Sequence, residues 1–291
     1  MLRYVRASVD DQAKVEQFLQ GVHDDLSEQV STYLTQAQGG LYLALEDDAI
    51  VGTAVITFPK RHEVYLGSVR MAPPQQDRDL YKEFAAYQLD QAQKAGAHIV
   101  RALVKDDDTL WSAVLREDFG FQDAGQWIVG EFEGFQAPET PPQEAGPAWA
   151  VDKARVKEFM HQFPESLWVG KDMYVPESLT PDDMENQFEE GGIAVAPQDA
   201  RLSVDSVALY RVRNNDAIDV KFFKSQGRHA QDLLNYLWIE ARAWGVQKMR
   251  FGLASDTAEQ IAKALNLPIQ NQWAGTVLER RFDPAAYSPS S

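Results

Sequence analysis

AIDVKFFKSQGRHAQDLLNYLWIEARAWG, residues 217–245, decides the fold. Ile218 to Phe223 reads as a strand, and the polar loop Gln226-Gly227-Arg228 follows it. The helix predicted next carries Ala230, Leu234, Leu237, Ala241 and Trp244, spaced 4, 3, 4 and 3 residues apart. That spacing puts them on one helical face. Gly245 ends the helix. An earlier stretch has the same form. A strand over Glu63 to Arg70 stops before Pro73-Pro74, which cannot continue it. A helix from about Asp79 to Ala95 then carries Tyr81, Phe84, Ala85, Leu89 and Ala92 on one face. Gln76-Asp77-Arg78 and Gln226-Gly227-Arg228, 150 residues apart, both precede these long helices.

Working outward, the two halves repeat one order of elements. The first half predicts a strand at Leu2–Ala7, helices from Ser8 or Asp10 to Gln20 and near Asp25–Gln36, and a break at Gly39-Gly40. Strands follow at Leu41–Leu45, Ile50–Phe58 and Glu63–Arg70, then the long helix. Strand Ile99–Val104, helix Asp108–Asp118 and strands around Phe121 and Trp127–Phe132 close it. The second half predicts a strand at Ala148–Val151, a helix from Asp152 to Phe163, and a helix opened by Thr180 with Pro181 at its first position. Gly191-Gly192 breaks that helix, and strands follow at Ile193–Ala196, Val207–Val212 and Ile218–Phe223. After the long helix come strand Lys248–Leu253, helix Asp256–Leu265 and strand Gly275–Phe282. Between the halves, QAPETPPQEAGP at 136–147 is too poor in bulky apolar groups to pack and reads as a semi-rigid linker. The domains expected are therefore 1–135 and 148–291.

Composition narrows the function. The hydrophobic fraction is 44%, enough for a core, and the net charge is -16. Such a surface repels phosphate backbones, so no nucleic-acid partner is expected. It favours cationic or amine-bearing partners at encounter. Cysteine is absent, which excludes disulfides, thiolate zinc sites and cysteine nucleophiles. No signal peptide or membrane span is visible, so a cytoplasmic protein is expected. None of the five histidines stands three or four residues from another, so no helical metal pair is expected. Asp106-Asp107-Asp108 reads as a turn with a helix cap, with metal binding as its alternative.

The repeated order, together with Arg6-Ala7-Ser8-Val9-Asp10-Asp11 and Leu115-Arg116-Glu117-Asp118-Phe119-Gly120-Phe121, resembles the GNAT N-acetyltransferase superfamily. The resemblance covers almost the whole chain. It implies an α/β fold of two tandem GNAT-like domains, each a mixed, mostly antiparallel sheet flanked by helices. It also implies acetyl-CoA or another acyl-CoA as co-substrate, no metal, and a small-molecule amine as acceptor. In the family the coenzyme pyrophosphate lies on backbone N–H groups at the start of the long helix. The first half puts Asp77 and Asp79 where glycines are expected, and these read either as helix caps or as occupants of the anion place. Two unit charges about 5 Å apart cost roughly 3 kcal/mol at an effective dielectric near 20. The second half keeps Gln226 and Gly227, has a basic Arg228, and replaces small residues by His229 and Gln231. The coenzyme site carried over from the resemblance is thus Phe222, Phe223, Gln226, Gly227, Arg228, His229, Ala230 and Gln231, with a polar turn as the plainer reading of the loop. The base carried over is Asp219, or its counterpart Glu63. The family's usual tyrosine acid is replaced by Arg116 and Ala262. The function implied is N-acyl transfer to a small amine. The alternative is a catalytically inactive tandem GNAT that binds acyl-CoA or a partner.

Overall fold

The computed structural model describes residues 2–21, 30–72, 77–134, 142–164, 166–199, 201–213, 216–227 and 229–282. The chain forms two compact units. One comprises Met1–Gly125 with Thr276–Ser291, and the other Gln126–Gly275.

In the first unit, β1 (Leu2–Arg6) leads through a turn at Val9–Asp11 into α1 (Gln12–Gly21) and α2 (Val30–Thr35). Asp11 closes that turn, its Oδ2 accepting the Ser8 backbone N–H at 2.9 Å and the Ser8 hydroxyl at 2.7 Å. β2 (Gly40–Glu46), β3 (Ala49–Lys60) and β4 (Glu63–Met71) precede α3 (Arg78–Lys94), β5 (Ile99–Lys105), α4 (Thr109–Ala113) and β6 (Gln122–Glu133). The strands lie in the order β1-β2-β3-β4-β5. Every pair is antiparallel except β4 with β5. Alternation along β2 divides the core between the two faces of the sheet. Leu41 and Leu43 pack with Val15, Leu19 and Leu34 of the first two helices. Tyr42 and Ala44 face the cluster built on Phe84 and Leu89 of α3.

The second unit runs through β7 (Gly146–Pro147), α5 (Lys153–Met160), β8 (Leu167–Val169), β9 (Pro176–Ser178) and α6 (Pro181–Glu190). It continues through β10 (Ile193–Ala196), β11 (Ser206–Arg213), β12 (Ala217–Ser225), α7 (Ala230–Ala243), β13 (Lys248–Ala254) and α8 (Ser255–Leu265), and enters β14 (Gln270–Arg281). Its sheet order is β7-β10-β11-β12-β13-β6. Again one pair is parallel, β12 with β13. The two units thus share one strand order, as the repeated pattern predicts.

Two local expectations are corrected. Ala148–Val151 is not the opening strand. The strand is Gly146–Pro147, inside the stretch read as linker, and a 3-10 turn at Ala150–Asp152 follows it. Helix Asp108–Asp118 stops being α-helical after Ala113 and continues as a π turn over Val114–Asp118. Each compact unit also takes in residues from both sides of the stretch 136–147. Residues 127–133 of β6 pair with β13 inside the second unit. The C-terminal part of β14 belongs to the first unit, where Leu278 enters the α3 core. There Arg101, 3% exposed, pairs with Glu63 at 2.8 Å and with Glu279 at 2.7 Å. Residues 136–141 of the predicted linker and 25–29 of the second predicted helix lie outside the described residues. Among the described residues no helix is long and apolar enough to cross a membrane.

Candidate functional site

In the second unit β12 and β13 pair only from Ile218↔Met249 to Val220↔Phe251. Beyond that point β12 stays with β11 through Ser225, while Gly252 to Ala254 stay with β6. The two parallel strands therefore part, and no ladder pair joins their facing edges. The parting begins at a β-bulge. Leu209 opposes Phe222 and Tyr210 opposes Val220, which leaves Lys221 as the extra residue. A bulge re-aims side chains at such a point, so Val220 and Phe223, three positions apart, share one face of the sheet and Phe222 is buried on the other.

Strands β8 and β9 pair as a hairpin that covers this region. A Cβ on Gly252 would lie 2.4 Å from the Met173 carbonyl oxygen and 3.0 Å from the Val169 side chain. Only glycine admits the hairpin so close to β13. The Lys221 ammonium stands 5.4 Å from the Trp168 ring centroid, a cation–π arrangement. Burial holds Lys221 below the usual lysine range, and the Arg211 guanidinium adds to that shift. Burial likewise pushes the Asp172 carboxyl up, against the N–H donated by Tyr174.

The sequence-predicted residues fall in three places. Asp219 is not a free carboxylate, because its Oδ1 accepts two hydrogen bonds from Arg250, at 2.6 and 2.9 Å. Phe222 and Phe223 are core residues. Gln226, Gly227, His229, Ala230 and Gln231 do gather at the start of α7, while Arg228 lies outside the described residues. The surroundings of that helix start are acidic. His229 Nδ1 is 2.7 Å from Asp205 and Nε2 is 2.7 Å from Glu144. Both contacts are hydrogen bonds only when both ring nitrogens carry protons. Asp205 also lies against Gly227, where a Cβ would meet its carboxylate at 2.2 Å. Asp232 accepts the Glu144 N–H at 3.0 Å. Along the sequence the loop shows no acidic residue before Asp232. In space, Asp205 and Glu144 supply two.

The first unit repeats the parting of strands. β4 and β5 pair only from Glu63↔Ile99 to Tyr65↔Arg101. Asp77 is the N-cap of α3, accepting the Leu80 N–H at 2.8 Å, which agrees with the helix-cap reading of that residue. Arg78 turns to Glu117 and Asp118, at 2.6 and 2.9 Å. Tyr81 and Trp111, with ring centroids 6.0 Å apart, are buried in one cluster with Val69, Met71 and Val104 near the diverging strand ends. Burial pushes Asp108 up and Arg70 down there. Glu63, the alternative base, is held by Arg101. Arg116 pairs with Asp123 at 2.8 Å, and Ala262 packs on the α7 core, so neither replaces a tyrosine acid.

Sequence reading missed Lys221 and the hairpin over it. The signal for Lys221 was present. Alternation through Ile218, Asp219, Val220 and Lys221 breaks at the doubled Phe222-Phe223, which is where the bulge lies. Among the described residues no three metal-binding side chains converge.

No protein-family model and no curated protein matches the sequence. Solved structures do match. A GCN5-related N-acetyltransferase from Sphaerobacter thermophilus superposes with a TM-score of 0.65 at 12% identity, over 96% of this chain and 95% of its own. A tandem GNAT protein from the clavulanic acid biosynthesis pathway superposes with a TM-score of 0.56 at 11% identity, over 97% of this chain and 98% of its own. The chain therefore has the GNAT acetyltransferase fold in tandem. Its sheet is mixed and mostly antiparallel in each unit.

Proposed function

We propose that this protein is an acyl-CoA-dependent N-acyltransferase, with acetyl-CoA as the acyl donor and a small amine as the acceptor. In this reading it is a cytoplasmic enzyme that needs no metal, and 1–135 and 148–291 are the duplicated halves of its sequence. The observation that carries the reading is the parting of β12 and β13 at the Lys221 bulge. It leaves strand edges able to bond an extended donor arm, with a buried amine beside them. The coenzyme would contact Phe222, Phe223 and the loop from Gln226 to Gln231, its pyrophosphate displacing Asp205 from the start of α7.

Asp219 could take the acceptor's proton only by giving up Arg250. Lys221 is better placed for that step, because a lysine held below its usual range is more often the neutral amine. The acceptor ammonium passes one proton to Lys221, the free amine attacks the thioester carbonyl, and as the C–S bond breaks the departing thiolate takes the second proton from the attacking nitrogen, while Lys221 returns its proton to solvent. The test is release of free thiol from acetyl-CoA with a panel of amines, polyamines and amino acids included. Lys221→Met should abolish amine-dependent release, and Asp219→Asn should lower it far less. The opposite ranking would return the base to Asp219. With wild type, release should rise with pH through the lowered Lys221 value rather than through the ordinary lysine range.

A second reading, a tandem GNAT that binds acyl-CoA or a partner without turnover, is favoured by one specific feature. Carboxylates stand at the starts of both long helices, Asp77 at α3 and Asp205 at α7. Acetyl-CoA that stabilises the fold thermally but yields no thiol with any amine would support this reading.

A further inference from the structure

The second unit holds a cleft of about 870 Å³ lined by Gln187, Glu190, Tyr210, Arg211, Glu240 and Trp244, among others. That size lies in the range of small-molecule sites, about 300–1,000 Å³. The cleft lies where β10 begins and β11 runs out, at the C-terminal ends of α6 and α7. A 14-residue helix is about 20 Å long, so the cleft lies at the far end of α7 from His229.

Four features point to the chemistry of its ligand. Helix C-termini carry negative partial charge and unsatisfied carbonyls, and two of them meet here. Glu190 and Glu240 add two carboxylates against the single guanidinium of Arg211, so the lining is net negative. Gln187 is 4% exposed, and its Oε1 has no hydrogen-bond partner among the described residues. A buried acceptor of this kind calls for a donor. Trp244 exposes 56% of its surface at the rim, and an open indole face attracts organic cations.

We propose that this cleft binds a small alkylammonium cation of the polyamine type, at a place separate from the start of α7 and whether or not acyl-CoA is bound. The ammonium groups would meet Glu190, Glu240 and the helix-end carbonyls, the Gln187 amide would accept an N–H, and the methylene chain would lie on Trp244.

The full chain without acyl-CoA is titrated with spermidine, followed by calorimetry and tryptophan fluorescence. One saturable site is expected. The double variant Glu190→Gln/Glu240→Gln should weaken it by about tenfold or more, which is roughly 1.4 kcal/mol. Trp244→Ala should weaken it several-fold and remove most of the fluorescence change. Arg211→Ala should leave binding unchanged or tighter. These side chains lie on the surface or at the rim, and circular dichroism would confirm that each variant folds. Absence of saturable binding at millimolar spermidine would overturn the proposal. So would binding that ignores both the double variant and Trp244→Ala, because counterion attraction to a chain of net charge -16 would behave in that way. Loss of binding in Arg211→Ala would instead mark an anion site and equally refute it.

Discussion

Replacing Arg101 by methionine should destabilise the first unit strongly, and the structure sets the size of the effect. The guanidinium is 3% exposed and bridges Glu63, itself 7% exposed, and Glu279. Removing one partner of a buried ion pair leaves an uncompensated charge, a loss of about 3–5 kcal/mol. Arg281 still reaches Glu279 at 2.6 Å, so the loss should fall near the lower end, about 3 kcal/mol. At about 2–4 °C per kcal/mol, the melting temperature should drop by roughly 6–12 °C. Urea unfolding at neutral pH measures the difference directly. Its pH dependence identifies the cause. In the wild type, Glu279 feels burial, which raises it, but the Arg281 and Arg101 guanidiniums outweigh that and hold it below its ordinary value. That stability is present above the unfolded glutamate value and is lost as pH falls through the lowered one. In Arg101→Met the guanidinium that favours the charged form of Glu279 is gone, so the variant has less of this stability to lose as the pH falls. The gap between the two proteins should therefore narrow from pH 7 towards mildly acid pH, and adding Glu63→Gln should recover part of it. A loss below about 1 kcal/mol, the range of exposed pairs, or a gap independent of pH would refute the buried-triad argument.

Three further expectations follow from the packing and the helix starts. Ending the chain at Gly275 removes Leu278 from the α3 core and Glu279 from Arg101, so the first unit should lose at least about 3 kcal/mol. Limited proteolysis should then cut within residues 1–125 before 126–275. Asp205→Asn should tighten acetyl-CoA binding in calorimetry by about tenfold, a part of the roughly 3 kcal/mol that two charges near 5 Å exchange at an effective dielectric near 20. Arg78→Glu should leave that binding unchanged, because Arg78 is already committed to Glu117 and Asp118.

Most of the element order was legible because each long element carries its own period. The 4, 3, 4, 3 spacing on α7, the capping pair Thr180-Pro181 and the glycine pairs at 39–40 and 191–192 are local signals, and the structure returns them. The exchange of closing strands was not legible. β6 and β14 each carry one continuous buried run, which marks a strand but does not say which neighbour supplies its hydrogen bonds. The β8–β9 hairpin escaped for a different reason. Its strands are three residues each, too short to show a period.

The acidic setting of α7 could not be read from its loop, because its carboxylates come from Asp205, 24 residues before His229, and from Glu144 on a separate segment. In space the two long helices become comparable. Both place a carboxylate where the resemblance asks for a phosphate, but by different routes. Asp77 is the cap of α3 itself, and its neighbour Arg78 is drawn away to Glu117 and Asp118, so an incoming anion would have to break a helix cap and would find no cation released. Asp205 reaches α7 from another strand's approach and is held by His229. An anion that displaced it would inherit the imidazole and the helix N–H groups together, with the cost reduced to moving one half-exposed side chain. If either unit accepts a pyrophosphate, the exchange of one anion for another at His229 is the step that permits it. For that reason the Asp205→Asn titration bears more directly on coenzyme binding than any change at α3.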